Sequence, residues 1–313
     1  MDYAGLTVRY KVNRPLTERE IEHRLLPGEP RRSKPLYHSR IIRMNSTYLE
    51  CVDKFFQEKG YMSTIIIMLI GVNVLMIYLM LLLIIDNTGY LVLNLFIFLF
   101  YCGFVFIITK FLLLKECFTY THFPIRFNRK TRKVHVFRQD GTVMTEDWDK
   151  LYFTLCKRGG FEGEWEVRGH RMGACGVTVL EIFALPFAES LYDIEDSPTW
   201  SFWEFVRRYM ESPEELPALA DQIKDVADVA DKREEFGNGF GRIFLAPGPS
   251  AYIMSPIWIP VCFCYALAHS LAMHTSKIPQ WPAEIEDECR IRPNDPYLRD
   301  AAHLAKPGPV KHA

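Results

Sequence analysis

Few residues in this chain combine the types and the spacing that chemistry needs. His170 and Cys175 flank one loop, an arrangement open to a Cys–His nucleophile, although chance placement produces such pairs more often. His269 and His274 lie five apart, off a single helical face, which argues against a zinc pair. His135 falls mid-strand, where a packed or half-exposed histidine is the ordinary case. Glu162, Glu164 and Glu166 alternate at strand spacing and read as a solvated face, not an acid/base pair. The run GNGFG (Gly237–Gly241) lacks the preceding strand and following helix of a phosphate cradle and reads as a linker. No G-x-S-x-G, H-E-x-x-H, Walker or kinase pattern occurs. The eight cysteines include no C-x-x-C pair, and free thiols suit a reducing cytosol. The expectation is a chain without catalytic residues, cofactor or metal.

Charge says more than motif. Lys+Arg is 37 against Asp+Glu 38 in 313 residues, so a nucleic acid finds no basic excess to bind. Residues 111–160 hold ten Lys/Arg and five Asp/Glu; residues 181–236 hold five and fifteen. In the acidic part, Glu189, Asp193, Glu195 and Asp196 cluster before a Trp-rich helix. Asp221, Asp225, Asp228 and Asp231 are expected along one face of a second helix, Leu219–Phe236. These carboxylates are candidates for docking a basic partner, the alternative being plain solvation. Trp200, Phe202 or Trp203 would supply a buried anchor, unless they pack the core.

The elements that must position these groups begin with an apolar hairpin. Ser63–Ile85 carries no charge and, as a helix, is roughly 35 Å long against a hydrocarbon core of about 30 Å. Asp86-Asn87-Thr88-Gly89 makes a turn, and Tyr90–Thr109 is again uncharged. Lys/Arg flank both ends and are missing from the turn, so the positive-inside rule puts both termini in the cytoplasm. Tyr61, Tyr90 and Tyr101 are interface anchors, Tyr101 only if its helix tilts. A polar stretch of 60 residues precedes the hairpin, which excludes reading it as a cleaved signal peptide.

Four segments follow: an N-terminal arm (1–60), the transmembrane hairpin (61–115), a cytoplasmic β-rich domain with C-terminal helices (116–236), and a Gly/Pro-rich linker, apolar segment and tail (237–313). In the arm, Thr17 and Glu20 form a capping-box pattern, and Ser46–Glu58 is expected as a helix lying on the membrane or the body. Between His122 and Phe187 six alternating stretches predict antiparallel strands, with Asp140-Gly141 as a two-residue hairpin turn. Ser197-Pro198-Thr199 opens an amphipathic helix with Phe202, Phe205, Val206 and Tyr209 on one side. The class is an α+β membrane protein, its meander capped by helices in the manner of a pleckstrin-homology-like body. Residues 244–276 hold no charge but four prolines; they read as a Pro-kinked segment at the interface or on the hairpin, with a third crossing as the alternative.

The stretches IRFNRKTRKVHVFR, Trp148-Asp149, FWEFVRRYME and LAMHTSKIPQWP, which together span most of residues 40–285, resemble a bacterial family of uncharacterised inner-membrane proteins encoded beside type VI secretion effectors. The resemblance implies an immunity role, nearest to the immunity partner of a nuclease effector from a pseudomonad, and it brings no catalytic residues. The expected function is a non-enzymatic, inner-membrane-anchored immunity protein that neutralises a secreted toxin through its cytoplasmic body. Its partners would be the cognate toxin and membrane lipids, with no nucleic acid and no small-molecule substrate. The alternative is a membrane-tethered scaffold or sensor that binds anionic lipid or a secretion component.

Overall fold

In the computed structural model the N-terminal arm is woven into sheet. The structure describes residues 10–30, 33–37, 39–56, 58–86, 88–157, 164–189, 197–237 and 255–304. Two compact units form, one from Met1–Gln57, His122–Lys232 and Ile278–Ala313, the other from Glu58–Thr121 and Arg233–Lys277.

In the first unit the arm supplies β1 (Arg14–Pro15), α1 (Glu18–Glu22), β2 (Arg24–Leu25), β3 (Ile41–Met44) and β4 (Tyr48–Cys51). The capping box forms as expected: the Thr17 hydroxyl accepts the Glu20 amide, and Glu20 accepts the Thr17 amide. The helix expected over Ser46–Glu58 does not form. Its place is taken by β4 and a 3-10 turn over Lys54–Phe56. Strand pairing on both sides decides this, since Leu49 faces both Met44 and Phe127 and Cys51 faces both Ile41 and Ile125. Tertiary pairing outweighs the local helical spacing of Leu49, Val52, Phe55 and Phe56.

All six alternating stretches fold as strands: β5 (Ile125–Asn128), β6 (Lys133–Phe137), β7 (Val143–Asp147), β8 (Tyr152–Lys157), β9 (Trp165–Met172) and β10 (Thr178–Glu189). They join the arm in two antiparallel five-stranded sheets, β3-β4-β5-β6-β7 and β1-β10-β9-β8-β2. The β6–β7 turn has three residues, not two. Arg138 and Thr142 close it, the Gly141 amide reaches the Arg138 carbonyl, and Gly141 adopts φ +84°, the left-handed position of a bulged hairpin.

Ser197 caps α4 (Pro198–Glu211) through its side chain, with Pro198 at the first turn. Phe202, Phe205, Val206 and Tyr209 are fully buried against both sheets, as are Trp148 and Trp203, whose rings stack 6.0 Å apart. At Gly169 no side chain fits, because a Cβ would meet the Phe183 ring at 2.3 Å.

The helix expected over Leu219–Phe236 is only α5 (Leu216–Gln222). Beyond it the Tyr37 hydroxyl accepts the Lys224 and Asp225 amides, and the Ala227 amide bonds the Ile41 carbonyl at the edge of β3. Those bonds replace the helical ladder, so Asp221, Asp225, Asp228 and Asp231 do not line one helix face.

The second unit contains α2 (Tyr61–Asp86) and α3 (Leu91–Glu116), each 26 residues and roughly 39 Å long. Both are long and apolar enough to cross a membrane. Only 6% and 0% of their most apolar windows are buried, unlike a core helix of a soluble fold. Inside the hairpin the Tyr101 hydroxyl donates to Asn73 Oδ1 at 2.7 Å, so its depth is explained by a partner on the facing helix and not by an interface. α6 (Ser255–Thr275) carries Pro260 within it and packs on α2. The helix is 21 residues in all, and Ile259–Thr275 is its apolar stretch among the described side chains. A Cβ at Gly60 (φ +96°) would lie 2.6 Å from the His269 backbone, so this close approach to α6 requires glycine. Of the GNGFG run, Asn238 to Gly241 lie outside the described residues.

Candidate functional site

The sheet β1-β10-β9-β8-β2 has two unlike faces. Phe153, Leu155, Val167 and Phe183 point into the apolar core. The alternate residues Thr154 and Cys156 on β8, and Glu166, Arg168 and His170 on β9, share the other face. That face is polar and nonetheless buried, because the N-terminal segment lies over it. Pairing of Arg24 with Thr154 and of Leu25 with Phe153 fixes β2 beside β8, and this sets α1 across the polar residues.

Two clusters result. In the first, Glu166 is fully buried and bonds Lys54, Arg168 Nε (2.7 Å) and the Tyr10 hydroxyl (2.6 Å). Burial raises its pKa, but the charges of Arg168 and Lys54 outweigh that and hold the carboxyl below its usual range. Glu166 is therefore no part of a solvated face; it neutralises two cations that would otherwise be unpaired in the interior. Glu164 is half-buried at the start of β9, and Glu162 lies outside the described residues.

In the second cluster Arg14 makes two bonds of 2.7 Å to the Glu20 carboxylate. Burial pushes the Glu20 pKa up, yet Arg14, the Thr17 amide and nearby positive charge together hold it at about 2. Beside it, Thr154 Oγ1 lies 2.8 Å from His170 Nε2 and 3.2 Å from Cys156 Sγ. Burial lowers the His170 pKa to about 4 and raises that of Cys156, so the pair is a neutral imidazole and a thiol at neutral pH. The histidine and cysteine that meet are thus His170 and Cys156. Cys175 is exposed in the β9–β10 turn beside Thr178. Among the described residues, Glu20, Cys156 and His170 form a trio whose ligating atoms lie within 4.8 Å of one another.

A small cavity of about 50 Å³ lies elsewhere in this unit, lined by Arg43, Glu50, Arg126, Asp231, Trp281 and Glu286 among others. Arg126 is held between the Tyr48 and Trp281 rings, with Nε and Nη1 lacking hydrogen-bond partners. Its Nη2 bonds both Glu50 and Glu286. Three carboxylates against two guanidiniums leave no positive excess for an anion.

The residues expected to bind a partner are dispersed. Asp193, Glu195 and Asp196 lie outside the described residues, and so does the side chain of Glu189, whose backbone ends β10 opposite Trp165. Asp221 pairs with Arg299, Asp228 with Lys232, and Asp231 with Arg43, all at the surface. Asp225 accepts from the Tyr37 and Ser39 hydroxyls. Trp203 is fully buried and belongs to the core, which removes it as an anchor; Trp200 is half-buried against the same core. Much of the acidic excess is also used internally. Glu204, fully buried, bonds Arg207 and Arg208, and Glu181 bonds Arg138 and Arg171. His135 is buried against Trp281, and His269 bonds the Lys59 carbonyl and Glu234.

Glu20, Thr154 and Cys156 escape a reading of the sequence because no local spacing joins them. The signal present is Thr-x-Cys on one predicted strand and Glu-x-Arg-x-His on the next, polar residues alternating where a one-sided sheet would need only one wet face.

Residues 103–293 match the model of a family described as a family of unknown function, DUF6708. No curated protein and no solved structure matches the chain.

Proposed function

From the premise that this chain belongs to the DUF6708 family, we propose that it is a non-enzymatic immunity protein of the bacterial inner membrane. The observation that carries the anchoring is the exposure of two 26-residue apolar helices, which need lipid around them. Lys and Arg flank the hairpin and are missing from its turn, which favours both ends of the hairpin in the cytoplasm. The body then faces the compartment that a delivered toxin attacks. The order β4–β7, β8–β10, α4 supports the likeness to a pleckstrin-homology body, a fold that serves recognition.

Toxin binding rests on the resemblance to proteins encoded beside type VI effectors and on the exposed carboxylates of Asp221, Asp228 and Asp231. A nuclease must present positive charge to phosphate, and carboxylates compete for that surface. The test is co-purification of the detergent-solubilised chain with the effector encoded beside it, joined to survival of cells expressing that effector. Binding with survival supports the reading. Survival without binding, or binding of anionic lipid alone, would favour the scaffold or sensor.

A further inference from the structure

We propose that Glu20, Cys156 and His170 form a binding site for one divalent transition metal ion, zinc by the softness of the ligand set. The three side chains come from distant parts of the chain, α1, β8 and β9, and meet at one spot with their ligating atoms within 4.8 Å of one another. None is more than 7% exposed. Thiolate, imidazole and carboxylate are the ligands zinc takes.

Two further observations point to a ligand. His170 is fully buried; Nε2 has the Thr154 hydroxyl beside it, and among the described residues Nδ1 has no hydrogen-bond partner, so one ring nitrogen is left for an ion. The Thr154 hydroxyl stands between His170 Nε2 and Cys156 Sγ, so the two groups converge on one small polar atom. Arg14 and Thr17 fix the Glu20 carboxylate, Arg14 bonding both of its oxygens, as outer hydrogen bonds orient a ligating carboxylate.

Binding changes the Cys156 thiol: its S–H bond breaks, the proton leaves to solvent, and the sulfur lone pair joins the ion. The ion therefore competes with that proton, and affinity rises with pH. Thiolate and carboxylate bring two negative charges to the ion, the carboxylate's being shared with Arg14. The site is independent of the toxin-binding reading, and either can fail alone.

The test is titration of the full chain in detergent with cobalt(II), followed by displacement with zinc. The expected result is one ion per chain with a sulfur-to-cobalt charge-transfer band, lost in Cys156→Ser, weakened about tenfold or more in His170→Gln, and kept in Cys175→Ser. A second measurement needs no variant. Cys156 is buried, so its alkylation reads transient opening of the fold: zinc should slow the reaction and a chelator should restore it, while Cys175 reacts throughout. Absence of the band from the wild-type chain, its survival in Cys156→Ser, or alkylation of Cys156 that ignores zinc would overturn the proposal.

Discussion

The Glu116 carboxylate caps α2 in its first turn, at Ser63: one oxygen accepts the Ser63 amide at 2.9 Å and its hydroxyl at 2.8 Å, and the other accepts the Met62 amide at 2.9 Å. Glu116 stands at the end of α3, so the last turn of one apolar helix closes the first turn of the other. The first amides of a helix have no partner within it, and its N-terminal dipole favours a negative charge there. Glu116 is 2% exposed, so few waters can replace it. Glu116→Ala is expected to cost about 1–3 kcal/mol, seen as a lower unfolding midpoint in detergent. Ser63→Ala, which removes one of the three bonds, should cost less. Equal midpoints for Glu116→Ala and wild type would show that the latch contributes nothing.

A second polar contact sits deep in the hairpin. Tyr101 donates to Asn73 Oδ1, and Asn73 donates to the Leu69 carbonyl of its own helix. In lipid such an interhelical bond contributes roughly 0.6–2 kcal/mol. Tyr101→Phe removes only the hydroxyl and should loosen the hairpin by that amount. Crosslinking between cysteines placed on α2 and α3 would read it, and an unchanged crosslinking rate would refute it.

His135 makes stability depend on pH. Burial lowers its pKa to about 4, outweighing attraction by Glu288, with Arg126 and Lys133 adding repulsion. The unfolded chain takes up this proton near its ordinary value of 6.5, whereas the folded chain resists until about 4. Between these values the unfolded state holds more protons, so stability falls as pH falls through that window and is fully present above it. His170 acts in the same direction. Glu20, ionised in the fold down to about 2, adds a further loss below its usual 4.5. His135→Gln should therefore flatten the wild-type decline between about 6.5 and 4. Parallel curves for the two proteins would mean that His135 does not titrate with unfolding.

What can be read from the sequence follows from how local each cause is. The six strands from Ile125 to Glu189 announce themselves by alternation, and α4 by Ser197, Pro198 and its apolar stripe, because the deciding atoms are near neighbours in the chain. The hairpin is legible for the same reason. Ser46–Glu58 and Leu219–Phe236 mislead because their partners are remote. β4 is a strand because β3 and β5 flank it, and residues 223–229 leave the helix because Tyr37 and Ile41 take the amides of Lys224, Asp225 and Ala227. The Glu20–Cys156–His170 trio is hidden for the same reason: only the pairing of β2 with β8 brings α1 to it.

The placement of the hairpin ends has a direct check. A reporter fused after Asp86 should read the outer compartment, and one fused after Lys115 the cytoplasm. A fusion after Lys277, just beyond α6, should agree with the one after Lys115 if α6, with Pro260 inside it, lies on the hairpin and does not cross. Cytoplasmic signals from all three would remove the hairpin from the membrane, and an external signal after Lys277 would make α6 a third span.

The acidic segment gives the last prediction. Its charges are not a helix stripe, yet the side chains of Asp221 and Asp231 are 81% and 89% exposed. Their partners Arg299 and Arg43, and Lys232 beside Asp228, form surface pairs of the kind worth about 0–1 kcal/mol. A basic toxin could displace those partners at small cost. Charges at a rim chiefly speed encounter and make it sensitive to salt, whereas buried groups set the rate of escape. Changing Asp221, Asp228 and Asp231 together to Lys should therefore slow association about tenfold or more at low salt, with little change in dissociation. Wild-type association should slow as salt rises, and the variant should lose that dependence. Each substitution lies at the surface, so the unfolding midpoint should shift only slightly, by about 0.5 kcal/mol per site or less. Trp203→Ala is the contrasting case. It empties a fully buried site between Trp148 and Phe153, should cost about 3–5 kcal/mol, and should lower the amount of folded protein without changing how salt acts on the remainder. Association rates measured by surface capture of the toxin at low and high salt decide the matter. A triple variant that binds as fast as wild type at both would show the segment to be only a solvated edge of the body.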